Sequence, residues 1–284
     1  MCRATGNFKS YGFAGIIIIL ISELLLFLEV ELVAIYFTPI AWTGYILFID
    51  ALIYRLRGES FISNRRREFA LMIPLSISCW LIFELYNLHL RNWYYEGLPD
   101  SMGMRVIGYA WAFATIFPGI LETSELIDTL GIFKNVSVGG GRIRRGILYT
   151  SVIVGFLFLA VPPLLPAEIA KYLFGLVWMG FVFLLDPVNY YLGGKSLFRD
   201  LEKGRIDKLL SLFLAGAICG FLWEFWNYWA ATKWVYDVPF LREPKIFEMP
   251  LIGFLGFLPF AVECYLMFYF AMALVLSPLA SLRS

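Results

Sequence analysis

Eight runs of mostly apolar residues, separated by short polar stretches, pattern this chain. A membrane span needs roughly 20 such residues. The runs at about 13–37, 38–54, 69–90, 106–131, 146–166, 170–190, 208–230 and 249–277 meet that length. Thr38-Pro39 marks the break between the first two, and Pro162, Pro163 and Pro166 the break between the fifth and sixth. The pattern predicts an all-α, polytopic membrane helix bundle of about eight transmembrane helices; merging the short pairs would give six. The apolar run after MCRATGNFK continues without a small-residue cleavage site, so it reads as a retained first helix rather than a signal peptide.

The pattern also repeats. CWLIFELYNLHLRNWYYEGLP (79–99) is echoed by CGFLWEFWNYWAATKWVYDVP (219–239). Each copy sets a glutamate (Glu84, Glu224) three residues before an asparagine (Asn87, Asn227), then a tryptophan (Trp93, Trp234) and a tyrosine (Tyr95, Tyr236). Trp42 to Asp50 aligns without gaps on Trp178 to Asp186, and Pro118-Gly-Ile-Leu-Glu122 on Pro259-Phe-Ala-Val-Glu263. This gives two tandem repeats of four helices, 1–134 and 146–284, joined by a Gly/Arg-rich linker at 135–145. An even number of helices per repeat makes the halves parallel, related by an axis along the membrane normal. The linker's Gly139-Gly140-Gly141 comes after no strand and fits no nucleotide motif.

Composition agrees with a membrane protein. Of 284 residues 60% are hydrophobic and 16% charged, and the mean hydropathy is +0.75. A net charge of +1 gives no argument for nucleic acid. Basic residues gather on one side of the eight-helix scheme: Arg3 and Lys9, Arg55 to Arg67, Lys134 to Arg145, Lys195 to Lys208, and Arg283. The positive-inside rule then puts both termini in the cytoplasm of a multi-pass cell-membrane protein, with WYYEGLP and WVYDVPF at the outer interface. Four cysteines (Cys2, Cys79, Cys219, Cys264) without CxxC spacing suggest neither a disulfide framework nor a zinc site, and the single histidine, His89, supports no His-based metal cluster.

Acids in hydrocarbon cost at least ~2.5–3.5 kcal/mol on insertion scales, so they face the bundle interior or a cavity. Three acidic positions occur in both halves: Asp50/Asp186, Glu84/Glu224 and Glu122/Glu263. The first pair lies close enough to the basic loops to pair with arginine there. Glu84, Glu224, Glu122 and Glu263 are the candidate catalytic acids, and Glu122 shares a helix face with Glu125 at i, i+3. Asn87 and Asn227 either contact a ligand or bond between helices. Trp93, Trp234, Tyr95, Tyr236, Trp223 and Trp226 are candidate substrate-binding rings, whose faces suit a cationic intermediate. By helical rise the Glu84 and Glu122 layers are separate unless the helix at 106–131 kinks near Pro118.

The order of basic loop, apolar helix ending in an acid, Trp, then an apolar helix with Pro shortly before Glu resembles the small membrane-embedded lycopene cyclase domain of heterodimeric and fused carotenoid cyclases. The resemblance covers about 65–131 and 205–277. That family has Pro, one residue and two adjacent glutamates where this chain has Pro118-Gly-Ile-Leu-Glu122 and Pro259-Phe-Ala-Val-Glu263. The layout is also a little like membrane sterol isomerases. Both resemblances imply acid-initiated chemistry on an isoprenoid or carotenoid in the bilayer, without metal or redox cofactor. Intramembrane carboxylates in parallel repeats also suit a proton-coupled transporter. A third reading is a lipid-binding or assembly subunit with no turnover.

Overall fold

The computed structural model describes residues 6–281, with side chains described as far as residue 275. Cys2, Arg3 and Arg283 lie outside the described residues. The helices are α1 (Ser10–Phe27), α2 (Glu31–Ile35), α3 (Phe37–Arg57), α4 (Arg66–Leu90), α5 (Met102–Ala114), α6 (Ile116–Leu130), α7 (Arg145–Leu164), α8 (Ala167–Ala170), α9 (Phe174–Tyr191), α10 (Leu197–Glu202), α11 (Asp207–Trp229) and α12 (Phe257–Ser281). Among the described residues eight spans are long and apolar enough to cross a membrane, α5 with α6 and α8 with α9 each forming one span. The chain is an all-α polytopic helix bundle.

Two boundaries differ from the sequence reading. The first span ends at Phe27, and the short α2 separates it from α3. Thr38-Pro39 is therefore not the break: Pro39 sits in the first turn of α3, where a missing N–H costs no helical hydrogen bond. The second is inside 106–131, where the helix is interrupted at Thr115. Pro118 cannot donate to the carbonyl four residues earlier, and Ser76 of α4 enters the gap. Its hydroxyl donates to the Phe113 carbonyl and accepts from the Phe117 N–H. In the second half the corresponding stretch is a 3-10 segment, Leu251–Gly256, running into α12.

Matched contacts hold the two halves. α1 meets α3 through Gly15 and Gly44, and a Cβ on Gly15 would stand 2.4 Å from the Gly44 carbonyl oxygen. α7 meets α9 through Gly155 and Gly180, with 2.8 Å from a Gly155 Cβ to the Gly180 oxygen. Small residues let apolar helices approach closely where hydrophobic burial gives them little mutual attraction.

Among the described residues, Asp50 and Asp186 do not pair with arginine. Asp50 accepts from the Tyr11 and Ser60 hydroxyls and the Ile62 N–H, and Asp186 from the N–H groups of Leu197 and Phe198. A buried carboxylate is best served by fixed donors, and the first N–H groups of a helix such as α10 have no helical acceptor. Each aspartate thereby ties the loop after its helix back onto the bundle. At the same end the linker is pinned to α10, with Val138 N–H on Gly204 O and Gly141 N–H on Glu202 O.

At the opposite end the chain forms a small antiparallel ribbon, β1 (Trp93–Glu96) with β2 (Lys233–Tyr236). The register pairs Trp93 with Tyr236, Tyr94 with Val235 and Tyr95 with Trp234. The two Trp-x-Tyr copies thus meet each other, head to tail, around Tyr94 and Val235. Gly97 comes directly after β1 at φ +62, and a Cβ there would stand 1.9 Å from the Ala231 carbonyl oxygen, so only glycine fits.

Candidate functional site

α4 and α11 each end six or fewer residues beyond their glutamate, and the chain then turns back into a strand. The asparagines make that turn. Asn87 donates through Nδ2 to the Trp93 carbonyl (2.8 Å) and accepts through Oδ1 from the N–H groups of Asn92 (2.8 Å) and Trp93 (3.2 Å). Asn227 does the same to Trp234, donating to its carbonyl at 2.8 Å and accepting from its N–H at 3.0 Å. A side-chain amide offers the donor and acceptor that a peptide unit needs. These asparagines bond within their own motif rather than between helices, and neither belongs to the wall of the nearby pocket.

The strands then return their rings to the glutamates. In a strand, residues two apart share a face, so Trp93, Tyr95, Trp234 and Tyr236 all lie on one side of the ribbon. Glu84 Oε1 accepts from Tyr95 Oη (2.6 Å), Trp80 Nε1 (2.9 Å) and Trp93 Nε1 (3.1 Å). Glu224 Oε1 accepts from Tyr236 Oη (3.1 Å) and Trp234 Nε1 (3.3 Å). The two sites are not equal. Gly220 stands where the first copy has Trp80, and the Phe257 ring fills the space, within 2.2 Å of a Cβ built there. Glu224 therefore lacks a third donor, and its Oε2 is buried with no hydrogen-bond partner among the described residues.

Between the ribbon, α3, α5, α9 and the start of α12 lies an apolar pocket, about 1130 Å³ of space between atoms with its open mouth included. Its wall contains Trp42, Trp80, Trp93, Trp178, Trp223 and Trp234, with Tyr95, Tyr109, Tyr236, Phe113, Phe257 and Phe260. Arg105 and Lys233 are its charged members. Lys233 is paired with Glu248 at 2.6 Å, and Arg105 Nε donates to the Pro99 carbonyl. Neither Glu84 nor Glu224 lines the pocket; the rings stand between the carboxylates and the space. Burial first, and then the adjacent carboxylate, push the Tyr95 and Tyr236 hydroxyls well above the ordinary tyrosine range.

Of the candidate rings, Trp93, Trp223, Trp234, Tyr95 and Tyr236 are in the wall. Trp226 is not. It packs edge-on against Trp42, and its Nε1 donates to Glu23 Oε1 at 3.4 Å. Trp42, Trp80 and Trp178, which are not among the candidate rings of the sequence, also stand in the wall. The aligned Trp42 and Trp178 are visible in the repeat, but only the fold brings them to the ribbon.

Glu122 and Glu263 belong to another layer. By helical rise Glu84 lies about 9 Å from the ribbon end of α4, and Glu122 about 12 Å from the opposite end of α6. The break at Thr115 does not bring them together. Glu122 and Glu263 are fully buried, with both carboxyl oxygens of each unpartnered among the described residues. Glu122 lies within electrostatic reach of Asp50 and Tyr45, and Glu263 of Cys79. Glu125, one turn from Glu122, instead pairs with Arg65 and with Arg57 at 3.0 Å. His89 binds the Leu165 carbonyl at 2.8 Å, tying α4 to the end of α7. Among the described residues no group of three or more His, Cys, Asp or Glu side chains is placed to hold a metal ion. Comparison with protein families, characterised proteins and solved structures gives no match to this chain.

Proposed function

We propose that this protein is an integral membrane enzyme that binds a lipid-soluble isoprenoid in the aromatic pocket and isomerises or cyclises it by proton transfer. One observation carries the reading: two glutamates hold, on single oxygens, the hydroxyl and indole groups of the rings that form the pocket wall. Such a wall offers ring faces to a carbocation, worth up to ~2 kcal/mol or more per contact once desolvated. It also keeps two proton-exchanging groups one ring away.

The difference between the two glutamates gives them roles. Glu84 gathers three donors on Oε1, the habit of a proton acceptor. Glu224 has two longer bonds and a free Oε2. Environments that differ in this way separate an acid from a base. With Glu224 in its acid form and its bond to Tyr236 reversed from the direction seen here, the Tyr236 hydroxyl gives its proton to an alkene carbon and takes the Glu224 proton in its place; the proton gathered at Glu84 returns to Glu224 before the next turnover. The Tyr95 hydroxyl, backed by Glu84, removes one from a carbon beside the resulting cation. A double bond moves or a ring closes, and no atom is gained or lost.

In this scheme Glu122 and Glu263 do not touch substrate. The two halves act as tandem four-helix repeats with both termini in the cytoplasm, so the pocket opens at the outer leaflet. The ribbon, where the two Trp-x-Tyr copies pair, supports that arrangement.

The test is expression in hosts that accumulate different isoprenoid precursors, with extracts compared for wild type, Glu224→Gln and Glu84→Gln. A new isomer or cyclic product from wild type alone is the expected result. Unchanged profiles across all hosts would sink the enzymatic reading. A second reading, binding without turnover, draws on the absence of a carboxyl oxygen from the pocket wall. Lipid analysis of the purified protein separates the two: a bound isoprenoid chemically identical to the host's own points to binding alone.

A further inference from the structure

The pocket wall contains two cations and no carboxylate. Lys233 is answered within the protein: its Nζ pairs with Glu248 at 2.6 Å and stands over the Tyr228 ring. Arg105 is not. Its Nε donates to the Pro99 carbonyl at 2.6 Å. Among the described residues neither of its Nη nitrogens meets a hydrogen-bond acceptor, and no carboxylate pairs with it. An arginine stays charged throughout the ordinary pH range, and its fork of N–H groups matches the oxygens of a phosphate or a carboxylate.

The fold holds that fork at the ribbon end of the pocket. Pro99, whose carbonyl fixes Nε, is itself a wall residue, as are Leu98 and Met104. Tyr109, one turn further along α5, also lines the wall, and its hydroxyl lies within electrostatic reach of Arg105. Arg105 is the fourth residue of α5, so by helical rise it stands about 5 Å from the end of that helix. Phe113, two turns beyond Arg105 on the same helix, belongs to the rings that make up most of the wall. The pocket is therefore positive at one end and apolar along its length.

We propose that the ligand is an amphiphilic isoprenoid with an anionic head, a phosphate or a carboxylate, which Arg105 holds while the hydrocarbon tail lies among the aromatic rings. This rests on the reading of the pocket as an isoprenoid site and narrows it. A pure hydrocarbon would leave the guanidinium beside apolar surface without a counter-charge. Hydrogen bonds between arginine and an oxyanion are roughly twice as strong as neutral ones, and two parallel N–H groups also fix the orientation of the head. Anchoring one end of the chain sets which double bond of the tail stands beside Tyr95 and Tyr236.

The experiment is titration calorimetry of the purified protein in uncharged detergent with three ligands of one chain length: geranylgeranyl phosphate, geranylgeranoic acid and geranylgeraniol. Wild type is expected to bind at least one of the anions about ten-fold or more tightly than the alcohol. Arg105→Gln should lose that preference and bind the alcohol as wild type does. Comparing the anion-to-alcohol ratio between wild type and variant cancels the unequal partition of the ligands into micelles. Raising the salt concentration should weaken anion binding to wild type and leave alcohol binding unchanged, a readout that needs no variant to fold. Equal affinity of wild type for all three ligands, unmoved by salt, overturns the inference and leaves the isoprenoid pocket standing. A preference that survives in Arg105→Gln overturns the assignment to Arg105. A diacyl phosphatidic acid that displaces the bound anion at equal concentration gives the site to a bilayer lipid and overturns the isoprenoid tail. Binding of none of the three isoprenoids overturns the isoprenoid pocket itself.

Discussion

Glu84 and Glu224 present the same sequence signal as Glu122 and Glu263, an acid at matched places in two apolar helices. Their surroundings are opposite. The first pair sits just before a helix end, where the chain folds back and delivers indole and phenol donors to Oε1. The second pair sits inside the bundle, with all four carboxyl oxygens unpartnered among the described residues. The difference comes from the path of the chain beyond each acid. A strand returning over a helix end can aim fixed donors at it. A helix that continues for two more turns puts only neighbouring helix faces within reach. A repeated acid in an apolar run is therefore a sign of a polar position, and its chemistry depends on whether the backbone comes back.

Substitutions at the two layers should move stability in opposite directions. Glu224→Leu leaves the Trp234 N–H and the Tyr236 hydroxyl without their acceptor. At about 1–3 kcal/mol for each orphaned group, a loss of about 2–6 kcal/mol is expected, read by thermal unfolding in detergent. Stability equal to wild type would erase the distinction between the layers. Glu263→Met removes an unpartnered carboxyl and keeps similar volume, so it should gain about 1–3 kcal/mol in the same assay. A loss there would show that the carboxyl has a partner in the membrane.

Smaller effects sharpen the picture of the ribbon. Asn227→Ala removes the bonds to both polar groups of the Trp234 backbone and should cost about 1–2 kcal/mol, with altered tryptophan emission from the loosened strand. The smallest effect is in alkali. Tyr95 and Tyr236 have hydroxyl pKa values raised above those of the unfolded chain, so their protonated form favours the fold. That contribution is complete below the ordinary tyrosine pKa of about 10 and is lost as pH rises through the folded values. Absorbance at alkaline pH should show these two phenols ionising after the exposed ones. In Tyr95→Phe/Tyr236→Phe the late phase should lose the amplitude of two phenols and the alkaline loss of stability should shrink.

Much of this is legible in the sequence because it rests on local rules. Spans come from the length of apolar runs, and the aligned Trp42 and Trp178 mark matched positions whatever their surroundings. Other features depend on distant residues. Thr38-Pro39 looks like a break, yet proline is tolerated in a helix's first turn, and α3 begins at Phe37. Asp50 has arginines nearby in sequence, and the fold instead gives it Tyr11, Ser60 and Ile62. Trp226 carries the same aromatic signal as Trp223, but its own position on α11 turns it to Trp42 and Glu23.

The sequence by itself determined the helical membrane architecture and where polar groups interrupt it, since both depend on each segment's transfer from water to hydrocarbon. Only the tertiary structure decided that two Trp-x-Tyr segments far apart in the chain pair as strands, that their rings roof a pocket, and that Trp42 and Trp178 both stand in its wall. Hydrogen bonds are directional over about 3 Å, so their partners are set by which helix ends come together rather than by the composition of any one helix.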